Sequence, residues 1–151
     1  VLSPEEDPNP ALLSLTLNAL AALCRPGVVQ RQVKAAFELR AACLSGYEPL
    51  LSGCVVCGSE TPDRFCISGG FLQCSTCRQE EDSGLRLPVS PGTLAAMRYL
   101  AACPPKRVFA FQLGEQSLKE LSDIAETYLL THLERGFFTL DFYKSLGLHT
   151  P

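Results

Sequence analysis

The stretch that most constrains this chain is residues 53–79, GCVVCGSETPDRFCISGGFLQCSTCRQ, which hold five of its eight cysteines. Cys54 and Cys57 form one Cys-x-x-Cys pair, and Cys74 and Cys77 form a second after a gap of 16 residues. Two cysteines three apart around a tight turn direct both sulfurs at one point, and Gly58, just after the first pair, suits such a turn. Two pairs complete a tetrahedral shell of four thiolates, the donor set that suits one structural zinc ion. Between the pairs, FCISGGFL reads as a hairpin turning at Ser68-Gly69-Gly70, which draws the two knuckles together. With four thiolates on one ion no coordination position stays open, so the expected site is structural rather than catalytic. Such a shell carries a formal charge of −2, and Arg64 and Arg78 are placed to offset it. Cys66 reads as a small buried apolar residue rather than a fifth ligand, and Cys24, Cys43 and Cys103 as apolar residues on or at the end of helices.

Two other uses of paired cysteines weigh less. A thiol–disulfide redox site needs one such pair opening a helix in a βαβ setting, and neither pair has that context. A disulfide framework is expected of small secreted chains that cannot bury a core. Here 151 residues with 46% apolar and 19% charged side chains are enough for one ordinary globular domain. The opening VLSPEEDPNP has neither the basic nor the apolar region of a secretory signal, and no apolar run is long enough for a membrane span.

Punctuation by proline, asparagine and glycine divides the rest into helices. Asn9-Pro10 opens a helix with apolar residues at Leu13, Leu17, Leu20 and Cys24, flanked by Leu12, Leu15, Ala19 and Leu23; Pro26-Gly27 closes it. A second helix runs from about Val28 to Leu44, with Gly46 as its cap, and pairs with the first as a helical hairpin. Ser90-Pro91 starts a third through Leu94, Met97 and Leu100, stopped by Pro104-Pro105. RVFAFQL, residues 107–113, fits strand and helix alike. A long helix follows from about Glu115 to Arg135, ended by Gly136, with a short last helix from Thr139. The fold class expected is all-α: a bundle-like helical domain with an inserted small zinc-finger module, a β-hairpin with two Cys-x-x-Cys knuckles. Residues 1–52 supply the helical hairpin, 53–79 the zinc-finger module and 80–151 the remaining helices of the same domain.

Charge and motifs bear on function. A formal net charge of −3 is not the footprint of an autonomous nucleic-acid binder. Locally, Arg25, Arg31, Lys34 and Arg40 against Glu38 make a basic stretch, and residues 115–126 an acidic one. No nucleophile elbow, phosphate loop or catalytic histidine arrangement is present: His132 lies on the long helix, His149 in the tail, and Glu120, Asp123 and Glu126 read as solvated helix residues. The chain is therefore not expected to be an enzyme.

Taken with its neighbours, the cysteine stretch resembles a family. FELRAACLSGYEPLLSGCVVCG at residues 37–58, the Gly69-Gly70 and Cys-x-x-Cys continuation, and the tail YLLTHLERGFFTLDFYKSL are similar to the bacterial recombination mediator RecO, as is LSPEEDPNPALLSLTLNAL. The resemblance implies an α-helical domain with an embedded zinc module, preceded in the family by an OB-fold that is absent from this chain. It also implies a cytoplasmic, nucleoid-associated bacterial protein that binds single- and double-stranded DNA, anneals strands and joins RecR, with RecF in some pathways. Together these load RecA onto DNA coated by single-strand binding protein. Many members carry two arginines before Phe-Glu-Leu that engage the acidic tail of that protein; here the positions are Ala35 and Ala36, with Arg31, Lys34 and Arg40 nearby. A basic face of Arg25, Arg31, Lys34 and Arg40, with Arg64 and Arg78, is then the candidate contact for DNA or partner. The competing expectation is a zinc-stapled protein-interaction domain without direct DNA binding.

Overall fold

A computed structural model of the chain describes residues 9–78 and 84–143, with side chains described through residue 133. Helix α1 (Pro10–Leu23) starts where Asn9 accepts the Leu12 N–H at 3.0 Å and Pro10 takes the first helical position. Helix α2 (Gln30–Leu44) packs against it as the expected hairpin. Helix α3 (Pro91–Ala102) and helix α4 (Glu115–Tyr143) complete the helical part among the described residues. Glu120 of α4 reaches across to the start of α3, accepting from the Ser90 N–H at 2.9 Å and the Thr93 hydroxyl at 2.7 Å. Burial pushes the Glu120 carboxyl up, but the Thr93 and Ser90 donors outweigh it and hold the group below its usual value.

The all-α expectation needs correction: among the described residues the architecture is mixed, with four strands in one sheet of order β1-β3-β2-β4. These are β1 (Leu50–Cys54), β2 (Arg64–Cys66), β3 (Phe71–Gln73) and β4 (Arg86–Pro88). Strands β2 and β3 pair antiparallel, with Phe65 opposite Leu72; β1 adds to β3 in parallel, and β4 adds antiparallel to β2. Three of the four strands are only three residues long, too short for alternation to show in the sequence. Two of them, β1 and β4, draw residues from outside 53–79.

The sheet is not a satellite. Phe65, Ile67 and Leu72 lie in the same buried cluster as Leu39 of α2, Met97 and Leu100 of α3, and Leu121, Ile124 and Tyr128 of α4. Segment 107–113 is neither strand nor helix beyond a 3-10 turn at Pro105–Arg107; Val108 enters the core and Phe109 and Phe111 pack at its margin. The expected break at Gly136 does not occur, since α4 continues to Tyr143. A glycine costs a helix interior only about 1 kcal/mol, and no proline reinforces it. On α1 the buried line is Leu15, Ala19 and Ala22, whereas Leu13, Leu17 and Leu20 are more than half exposed. The small alanines allow close approach to Val33 of α2, and this selects the buried side. The acidic run at residues 80–82 and the tail with His149 lie outside the described residues.

Candidate metal centre

Each knuckle is built from its backbone outward. In the first, the Cys54 N–H donates to the Ser59 carbonyl at 2.9 Å and the Gly58 N–H to the Cys54 carbonyl at 2.9 Å, closing the turn on itself. Gly58 has φ +77°, the left-handed region that favours glycine. A Cβ on Gly53 would stand 2.8 Å from the Ser59 carbonyl oxygen, so the return of the turn requires glycine there too. The Val55 N–H donates to the Leu72 carbonyl at 3.0 Å and so fastens the knuckle to β3. The second knuckle is a 3-10 turn, Ser75–Cys77, that follows β3 directly.

These turns bring Cys54, Cys57, Cys74 and Cys77 together, with all four sulfurs within 4.8 Å of one another. Cys54 is buried, Cys74 and Cys77 are half-buried, and Cys57 is exposed. The Cys54 sulfur accepts from the Val56 N–H at 3.4 Å and the Cys74 N–H at 3.3 Å. Burial pushes this thiol up, yet the backbone N–H groups of Cys57, Cys74 and Val56 outweigh it and bring Cys54 down to about 6. Cys74 moves the other way, to about 12, through desolvation and the neighbouring sulfurs of Cys57 and Cys54. The backbone N–H groups thus favour a thiolate at Cys54, while desolvation and the neighbouring sulfurs oppose one at Cys74, an opposition that a divalent ion relieves. The donor set therefore fits a metal ion, and four thiolates are compatible with zinc.

Residues that position the knuckles were not visible in the sequence. The Asp63 carboxylate accepts the Ser75 N–H at 2.7 Å and the Ser75 hydroxyl at 2.9 Å, fixing the second turn. The Ser75 N–H is the main cause holding the Asp63 carboxyl below its usual value. The buried Gln73 donates to the Cys77 carbonyl at 3.4 Å and accepts from Arg86 at 2.9 Å. Arg98 of α3 donates to the carbonyls of Leu51 at 2.8 Å and Glu60 at 3.1 Å, tying the first knuckle to the helices. The one local hint was the turn dipeptide Pro62-Asp63. Asp63→Asn is expected to weaken metal affinity by about tenfold, because it weakens the Ser75 hydrogen bonds that fix the turn carrying Cys74 and Cys77. Competition with a chromogenic chelator measures this.

The cationic candidates are dispersed. Arg25, Arg31 and Arg78 are exposed. Lys34 pairs with Glu38 at 2.9 Å and Glu126 at 3.2 Å, and the Glu38 contact leads in holding its ammonium above the usual lysine value. Arg40 donates to the carbonyls of Leu100 at 2.8 Å and Cys103 at 2.9 Å, capping the end of α3. Arg64 contacts Asp63 at 3.4 Å. The alanines at 35 and 36 are buried, as is Cys66; Cys103 is buried, Cys43 half-buried and Cys24 exposed. His132 is buried between Tyr47, stacked at 4.7 Å, and Tyr128, edge-on at 4.4 Å.

Comparison with known proteins adds a family to this geometry. A family model described as recombination protein O C terminal matches residues 1–141. A DNA repair protein RecO of Acetivibrio thermocellus is 33% identical over 94% of this chain and 57% of its own length. That of Rubrobacter xylanophilus is 33% identical over 83% of this chain and 50% of its own. A third, from Pelotomaculum thermopropionicum, is 30% identical over 97% of this chain. The chain thus spans about half the length of the curated relatives it matches.

Proposed function

This chain belongs to the RecO family of DNA repair proteins, and from that premise we propose that it is the helical, zinc-clamped part of a recombination mediator. It acts without catalysing a reaction of its own, as a scaffold that supports DNA binding and strand annealing. With RecR, and RecF where that pathway operates, it assists the loading of RecA on DNA coated by single-strand binding protein. Its place is the bacterial cytoplasm, at the nucleoid. No helix among the described residues is long and apolar enough to cross a membrane. The observation that carries the reading is the family match over residues 1–141, a span that includes the four-cysteine cluster. One zinc ion held by Cys54, Cys57, Cys74 and Cys77 keeps the sheet closed, so that α2, α3 and α4 stay in register around the shared core.

Contacts to DNA or to the acidic tail of single-strand binding protein fall on the exposed cations Arg25, Arg31 and Arg78, with Lys34 beside Arg31 on α2. A double Arg31→Glu, Lys34→Glu change is expected to lower low-salt DNA affinity by about tenfold and flatten its salt dependence, because phosphate contacts release counterions. Fluorescence anisotropy with labelled single-stranded DNA reads both quantities. Unchanged affinity overturns this surface assignment. A second reading, a protein-interaction domain without direct DNA binding, is favoured by the commitment of Lys34 to two carboxylates and of Arg40 to the end of α3. No DNA binding by the unaltered chain at low salt decides for it.

A further inference from the structure

The four clamp cysteines differ in access. Cys57 is the exposed one, Cys54 is buried and held by two backbone N–H groups, and Cys74 and Cys77 are half-buried. The Cys57 sulfur lies 3.7 Å from that of Cys74, on the opposite knuckle. We propose that Cys57 and Cys74 form a redox latch: a peroxide oxidises the clamp to a disulfide between the knuckles, not within either of them. The proposal rests on the zinc-clamp reading above.

Access selects Cys57 as the sulfur that meets the peroxide and disfavours buried Cys54 as its partner, and Cys74 lies within reach across the knuckles. The Cys57 thiolate attacks the peroxide, the O–O bond breaks, and a sulfenic acid forms with loss of hydroxide or alkoxide. The Cys74 thiolate then attacks the sulfenic sulfur; the S–O bond breaks, and the departing hydroxide takes a proton to become water. Two electrons pass from the two sulfurs to the peroxide. Closing the gap to a bonded separation of about 2.05 Å moves the knuckles together rather than apart. Four thiolates are then no longer available to an ion. The covalent bond nevertheless still joins the loop after β1 to the residue after β3, the two strands that the clamp holds side by side. A disulfide inside either Cys-x-x-Cys would leave that junction open. A dithiol reductant reverses the bond and restores the four-sulfur shell.

The test uses the zinc-loaded 151-residue chain. Zinc content is measured first; hydrogen peroxide is then added, released zinc is followed with a chromogenic indicator, and disulfides are mapped by mass spectrometry after trypsin. Cleavage at Arg40, Arg64 and Arg78 leaves Cys54 and Cys57 with Cys43 on one peptide and Cys74 and Cys77 with Cys66 on another, and fragmentation of the linked pair assigns the bonded cysteines. The expected product is a cross-linked pair of these peptides, joined at Cys57 and Cys74. It should exceed each within-knuckle disulfide by about tenfold, in step with the release of about one zinc per chain. Dithiothreitol with added zinc should restore the metal content. Predominance of Cys54–Cys57 or Cys74–Cys77, or zinc release with no disulfide between knuckles, overturns the latch. A chain that holds no zinc before oxidation overturns the clamp reading itself. Cys66→Ser, outside the four, is expected to leave both readouts unchanged.

Discussion

Replacing Cys54 with serine is expected to abolish tight metal binding and lower the melting temperature by about 8–16 °C, from roughly 4 kcal/mol of lost linkage at a metal concentration a thousandfold above Kd. Cys54 is the ligand with the least freedom to be bypassed. It is buried, it ends β1, and its sulfur is fixed by the N–H groups of Val56 and Cys74, one from each knuckle. A serine oxygen is a shorter, harder donor that leaves three thiolates to hold the ion. Because the sheet shares its core with α2, α3 and α4, the damage should spread beyond the knuckles and appear in one cooperative transition. Zinc content and thermal denaturation by circular dichroism check the two halves of the result. Cys66→Ser, which replaces a buried sulfur outside the four that lies 3.6 Å from the Ser68 hydroxyl, is the matching control for zinc content.

Phe65→Ala is expected to destabilise the chain by about 3–5 kcal/mol, the usual cost of truncating a buried phenylalanine. Phe65 sits at the middle of β2, facing Leu72 on one side and Leu87 on the other, with no exposed surface. Its ring meets Tyr128 of α4 edge-on at 5.4 Å, and the Tyr128 hydroxyl donates to the Tyr47 carbonyl at 2.6 Å. Tyr47 in turn stacks on His132 of the same helix. The ring is thus the joint between the clamped sheet and the longest helix, and its loss leaves a cavity that the backbone of a three-stranded neighbourhood cannot close. Urea denaturation should show a lower midpoint with an unchanged slope. Phe65→Leu should recover more than half of the loss, because it refills most of the volume.

How far the sequence could be read depended on how local the determinants were. The first three helices were legible because their ends carry their own chemistry, Asn9-Pro10, Pro26-Gly27, Ser90-Pro91 and Pro104-Pro105. The four cysteines were legible because each pair lies within one turn. Of the sheet, only the β2–β3 hairpin was readable, from its local Ser68-Gly69-Gly70 turn; Leu87 meets Phe65 by register alone, and β1 and β4 become strands only through β3 and β2. Asp63 and Arg98 escaped notice for the same reason, since their partners lie 12 residues away for Asp63 and 47 and 38 for Arg98. The α1 stripe misled because apolar spacing marks a helix without saying which side is covered. Leu13, Leu17 and Leu20 fit the period as well as Leu15, Ala19 and Ala22, and only the approach of α2 separates them.

The central claim is that two distant knuckles share one structural zinc through four sulfurs. X-ray absorption at the zinc edge, on the purified chain, tests it most directly. The predicted spectrum is a single shell of four sulfurs at about 2.3 Å, with one zinc per chain. A chain free of zinc, or a shell in which nitrogen or oxygen replaces any of the four sulfurs, would contradict it.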